Sequence, residues 1–252
     1  VGVVGDDDRL ASLFILSASA LGLNQIVVIA PSLEAPLLDL ARKINPWLRL
    51  IFVKGYYTHP LLADIFQGCK VILDLSRYGL ANKLLLEQGR QANLPIIRGF
   101  CFEEEDTAGF KIFTYRRGRE WQELEEVVSP VNLPEPHFDD AVLDIICAGI
   151  GLEETKNILM GRKVSPEVIA YRREKLAPVR DDLAVAVVGA GALGNFVGLG
   201  LAYAGFQNLT FIDPDAIEIT NLNRQVFFAD ALGLPKAEVL AQRLNRQFGA
   251  RA

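Results

Sequence analysis

Gly189, Gly191 and Gly194 stand in the spacing G-x-G-x-x-G, directly behind the apolar run AVAVV and at the head of a helical pattern. Gly189 would permit the tight turn, Gly191 a close approach of backbone to phosphate, and Gly194 the crossing of helix and strand. A helix start offers unpaired N–H groups to an anion. Asp213 closes the next strand, LTFID, nineteen residues after Gly194. A carboxylate there can accept hydrogen bonds from ribose hydroxyls, in NAD and ATP alike. The stretch that follows, PDAIEITNLNRQVFFADALGLPKAEVLAQRLN, separates the two ligands. It places Asn221, Asn223, Arg224 and Gln225 in a polar segment and Lys236 at the start of a helix. Arg224 and Lys236 suit a triphosphate whose pyrophosphate must leave, because guanidinium and ammonium groups neutralise charge building on the leaving oxygens. Hydride transfer makes no such demand. Each group also has a bland reading, as structural glycine, solvated strand-end acid or surface cation.

The elements that would position these residues alternate along the chain. Apolar strands at 1–5, 26–30, 48–53, 71–75 and 95–100 are separated by helical patterns at 10–22, 36–44, 60–66 and 81–92. Strands alternating with helices imply an α/β fold, a Rossmann-like, mostly parallel sheet with helices on both faces. FKIFTY at 110–115 alternates like an antiparallel edge strand ahead of the basic turn RRGR, and the proline-bearing 129–138 reads as an extended crossing segment. A helix is expected over 141–161, then a charged helix and linker over 162–182, and a new βαβ unit from Leu183. Residues 1–31 and 185–214 share one outline of strand, turn, apolar helix, strand and proline. The expected domains are therefore a complete first copy at 1–161, a linker at 162–182, and the opening half of a second copy at 183–252. The chain starts at Val1 on a strand and stops at Ala252 in or just after a helix, as expected of a piece of a longer protein.

Composition narrows the function classes. Half of the 252 residues are apolar and 23% are charged, an ordinary globular balance. No apolar run reaches the roughly 20 residues of a membrane helix. A net charge of −5 with no basic block beyond YRREK argues against nucleic acid as main partner. Cys69, Cys101 and Cys147 form no CxxC pair, and His59 and His137 are scattered, so neither a disulfide framework nor a metal cluster is indicated. A cytoplasmic location is expected.

DPDAIEITNLNRQ followed by GLPKAE resembles the signature of the E1-like activating family that includes ThiF, MoeB and HesA. The resemblance implies binding of ATP and Mg²⁺, adenylation of the C-terminal carboxylate of a ubiquitin-like or sulfur-carrier protein or of a peptide, and release of pyrophosphate. It would set Gly189, Gly191 and Gly194 around the phosphates and Asp213 on the ribose. Asn221, Arg224 and Lys236 would contact the phosphates, with Gln225 beside them and Asp215 a weaker candidate. Arg224 and Lys236 would be the catalytic pair.

The likeness extends over residues 1–161, where the chemistry-bearing positions depart from it. The first turn reads VVGDDDRLAS, so that Asp6, Asp7 and Asp8 would repel a phosphate. Ala30-Pro31 replaces the strand-end acid, the NLNRQ and PKAE segment is missing, and Arg77 stands where the family places its magnesium-binding Asp. Asp74 matches a more structural acid. The expectation is a degenerate first copy, a scaffold and carrier-docking surface, paired with an active second copy as an intrachain pseudo-dimer or within a homodimer. Arg172, Arg173 and Lys175 match a basic helix from which some relatives lend an arginine to the partner site. Two other functions compete: a non-catalytic scaffold in which both copies are inactive, and an NAD-dependent oxidoreductase.

Overall fold

The computed structural model describes residues 1–116, 127–134, 138–175 and 183–249. Most of the RRGR turn, His137, the joint at 176–182 and the last three residues lie outside them.

A seven-stranded sheet forms the body of the first unit, in the order β3-β2-β1-β4-β5-β6-β7. β1 (Gly2–Val4), β2 (Gln25–Ala30), β3 (Arg49–Lys54), β4 (Ile72–Asp74) and the start of β5 (Ile96–Glu104) run parallel. β6 (Thr107–Tyr115) and β7 (Ile169–Glu174) continue the sheet antiparallel. β1 and β4 are buried throughout, as central parallel strands covered on both faces must be. α1 (Arg9–Ala20), α2 (Ala35–Ile44) and α4 (Ala141–Leu159) share a core on one face. α3 (Gly79–Ala92) and the 3-10 turn Pro60–Phe66 pack on the other. Leu10, Leu13, Phe14, Ile15 and Leu16 of α1 are all buried, which explains why that helix lacks a polar face.

Three expectations need correction. The charged 162–182 segment holds no helix among its described residues: Ile169–Glu174 is the outer strand β7, most of whose side chains reach solvent. Its cations are occupied locally, Arg172 with Glu104 at 2.7 Å, Lys175 with Glu103 at 2.6 Å, and Arg173 with Asp140. β6 is consequently an interior strand and not an edge. Residues 60–66 form a 3-10 turn opened by His59, whose Nδ1 accepts from the Leu61 N–H.

The second unit opens with β8 (Ala184–Val188), α5 (Ala192–Tyr203) and β9 (Asn208–Ile212), a parallel βαβ closed by α6 (Lys236–Phe248). It docks on α1, α2 and α4. Leu199, Leu209, Phe227 and Leu244 belong to the same apolar cluster as Leu13, Phe14 and Leu152. Polar ties reinforce that contact: Tyr203 donates to Glu34, the Arg9 guanidinium lies 4.7 Å from the Tyr203 ring centre, and Lys43 meets Asp230 at 3.5 Å. Among the described residues no helix is long and apolar enough to cross a membrane.

Candidate functional site

The site is built where β8 ends. Val188 pairs with Ile212, and the Gly189 N–H donates to the Ile212 carbonyl at 2.8 Å, so both strands stop at one level. Gly189 then turns with φ +100, a conformation that only glycine adopts cheaply. A Cβ on Gly194 would collide with the Gly189 carbonyl oxygen, so helix and turn meet through hydrogen alone. Gly191 caps α5, and the nearest atom to a Cβ there would be Gln225 Nε2 at 3.8 Å. The three glycines thus fill three different steric roles, and the middle one leaves room.

Asp213 closes onto this turn. Its Oδ2 accepts from the Ala190 N–H at 2.7 Å and its Oδ1 from the Asp215 N–H at 2.9 Å. Each carboxylate oxygen has a second lone pair for another donor. Gln225 is buried beside the turn, and its Oε1 is buried without a hydrogen-bond partner. An orphaned acceptor costs about 1–3 kcal/mol. Such a group next to an open glycine and a helix N-terminus fits a ligand that brings hydroxyl or amino donors and phosphate acceptors.

Other predicted residues are engaged elsewhere. Lys236 is only 8% exposed, and its Nζ donates to Asp215 Oδ2 at 2.8 Å. Lys236 N–H also reaches the Asp215 carbonyl at 3.0 Å, so Asp215 is the residue that positions this lysine. Asn221 Oδ1 accepts from the Glu218 N–H at 2.9 Å and completes a capping box. Arg224 is exposed, and its Nη1 donates to the Thr220 carbonyl at 2.9 Å and to Asn223 Oδ1 at 2.8 Å. The structure therefore gathers Gly189, Gly191, Gly194, Asp213 and Gln225 at the turn, joins Lys236 to it through Asp215, and leaves Arg224 on its own surface loop.

Sequence reasoning missed Asn195. It is fully buried, donates to the Ala190 and Gly191 carbonyls at 2.8 and 3.0 Å, and accepts from the Phe227 N–H at 3.0 Å. One side chain thereby ties the turn to the segment behind Gln225. A lone amide in the apolar helix ALGNFVGLG was the available signal.

The ThiF family pattern matches residues 167–248, which contain every one of these groups. The match covers about a third of the chain, the part that carries the glycine turn. Over 67 residues it is 51% identical to the NEDD8-activating enzyme E1 catalytic subunit of Arabidopsis thaliana, covering 26% of this chain and 15% of that protein. Over 74 residues it is 39% identical to the tRNA threonylcarbamoyladenosine dehydratase of Escherichia coli strain K12, covering 29% of this chain and 28% of that one. The chain thus spans under a third of the curated relatives it matches. A crystal structure of E. coli MccB with ATP superposes with a TM-score of 0.47 at 10% identity, covering 69% of this chain and 63% of that one.

The turn of the first unit differs from the glycine turn of the second in carrying carboxylates. Asp7 is buried and accepts from the Leu10 N–H at 2.9 Å, and Asp6 accepts from the Arg77 N–H. Asp74 is structural: it accepts from Ser76 N–H and Oγ at 3.0 and 2.6 Å and from Asn82 at 2.8 Å. Acidic side chains thus occupy the N–H groups that an anion would need. Cys101 and Cys147 are buried, and contact with Cys147 together with burial pushes the Cys101 thiol up, away from reactivity. Among the described residues no group of three or more His, Cys, Asp or Glu is placed to hold a metal ion.

Proposed function

We propose that the 183–249 unit binds ATP and, in the complete protein, adenylates a carboxylate at the C-terminus of a small ubiquitin-like or sulfur-carrier protein or of a peptide. The observation that carries this reading is the glycine turn closed by Asp213 and faced by the orphaned Gln225, inside a segment half identical to an activating enzyme. In the reaction a carboxylate oxygen attacks the α-phosphorus, the α–β bridging P–O bond breaks, and pyrophosphate leaves with the electron pair. The turn N–H groups would hold phosphate oxygens and Asp213 the ribose hydroxyls. Lys236 would meet the departing charge after giving up Asp215, and Arg224 after leaving the Thr220 carbonyl.

ATP–pyrophosphate exchange by the full-length protein with candidate carriers tests this. Arg224→Ala and Lys236→Ala are each expected to slow exchange about 10²–10³-fold, the usual cost of one transition-state donor. Wild-type turnover from both would remove them from the mechanism. Absence of both exchange and ATP binding would favour the second reading, a scaffold. That alternative draws on the local partners that Arg224 and Lys236 already have.

We also infer that residues 1–161 are a degenerate copy of the same domain, lending support and a docking surface rather than a nucleotide site. Shared order of strand, helix and parallel strand in β1-α1-β2 and β8-α5-β9 supports this, as does the carboxylate-filled first turn.

A further inference from the structure

A second cavity lies in the first unit, remote in sequence from the glycine turn. It has a volume of about 300 Å³ and sits beyond the end of β4, on the α3 face of the sheet. Phe100 and Phe102, with ring centres 6.3 Å apart, form one wall. The segment 128–130 forms the other. That segment is pinned to α3, since the Ser129 N–H donates to Asn82 Oδ1 at 3.0 Å and the Gly79 N–H to the Val131 carbonyl.

Arg98 lines the cavity although it is only 1% exposed. Its Nε donates to the Val127 carbonyl at 3.1 Å, and its Nη1 to the Asp74 and Gly99 carbonyls at 3.2 and 3.1 Å. The guanidinium carbon lies 4.4 Å from the Phe100 ring centre, and Asp74 Oδ2 is 3.8 Å from Nε. Among the described residues Nη2 has no acceptor, which leaves one fork of a buried, fixed cation toward the cavity. Arg77 and Lys111 also line it. Glu103 and Glu104, the acids on the lining, are paired with Lys175 and Arg172. A guanidinium with an unused terminal nitrogen, held against the Phe100 ring, matches one oxyanion on a flat apolar body.

We propose that this cavity binds a ligand bearing a single carboxylate on an apolar body, with Arg98 Nη2 donating to the carboxylate and Phe100 and Phe102 covering the remainder. The chemistry is common to a free small acid and to the carboxyl end of a peptide. Titration of the full chain by calorimetry with phenylacetate, and with a short peptide ending in phenylalanine, separates the two when each is run beside its amide. Both acids are expected to bind at least about tenfold tighter than their amides, the ratio of one charge-assisted hydrogen bond. A tighter peptide acid identifies a chain end as the ligand, and equal affinities identify the free acid. Arg98→Lys keeps the charge, removes Nη2 and is expected to weaken binding by about tenfold. Val128→Trp fills the cavity without touching any of these hydrogen bonds, so it carries the test if Arg98→Lys fails to fold. It should abolish binding with the melting temperature unchanged. Equal affinity for acids and amides, no binding at all, or full affinity in Val128→Trp would overturn the proposal.

Discussion

Gln225 and Asp6 each bury an oxygen without a hydrogen-bond partner, and each makes a measurable demand. Gln225 hides an acceptor with no donor. Gln225→Leu is expected to keep or raise the stability of the free protein, by up to about 1–3 kcal/mol, while lowering nucleotide affinity. Chemical denaturation with and without ATP reads both effects. A variant that loses stability without ligand would show that the amide is satisfied in solution. Burial, reinforced by the neighbouring Asp7, pushes the Asp6 carboxyl from an ordinary 3.8 up to about 7. A carboxyl that holds its proton more tightly when folded stabilises most below its unfolded value, and that contribution is lost as pH rises through the folded value. Stability should therefore drop by a few kcal/mol between about pH 4 and pH 7, at about 1.4 kcal/mol per unit. Asp6→Asn should flatten this slope, because an amide oxygen still accepts from the Arg77 N–H. Denaturant midpoints across that range decide the matter, and an unchanged slope would assign the titration to another group.

At the level of elements, the alternation of apolar strand and helix made the parallel half of the sheet readable, and the glycine spacing made the turn readable. Both signals are local, carried by residues next to each other in the chain. What failed was non-local. IAYRRE became a strand because Gly109 of β6 lets the Tyr171–Arg172 backbone approach and because Glu103 and Glu104 wait across the sheet for its cations. No run of six residues announces its partner strand. Arg224 and Lys236 were identified by type and spacing, yet their present partners, Thr220, Asn223 and Asp215, depend on loop conformation that spacing does not encode. Asn195 and Arg98 escaped for the same reason, since Asn195 accepts from the Phe227 N–H and Arg98 donates to the Val127 carbonyl, each partner far away in sequence. Gly109→Val tests the account of β7: its side chain would strike the Tyr171 carbonyl, so protection of the β7 amides from hydrogen exchange should fall sharply while β1 and β4 stay protected. Undiminished protection would mean that the charge pairs alone hold the strand.

For the whole molecule, the decisive contact is the one between the units. Arg9 pairs with Glu34 at 3.5 Å and with Asp139, approaches Asp144 at 3.6 Å, and stacks on Tyr203 of the second unit. Asp139 thus serves this cluster, while Asp140 caps α4 through the Leu143 N–H. Arg9→Ala would remove the cation shared by the half-buried Glu34, by Asp139 and by the buried Asp144, and is expected to destabilise the protein by about 1–3 kcal/mol. Calorimetry is expected to show one unfolding transition for the wild type and two for the variant. A single transition in the variant would show that apolar packing alone couples the units. That packing has a genetic corollary. Because Leu199, Phe227 and Leu13 lie in one continuous interior, a gene split at the 176–182 joint would encode two polypeptides with bare, greasy flanks. Such halves would be insoluble alone and would have to be translated together, behaving as obligate heterodimer subunits that happen to share one reading frame.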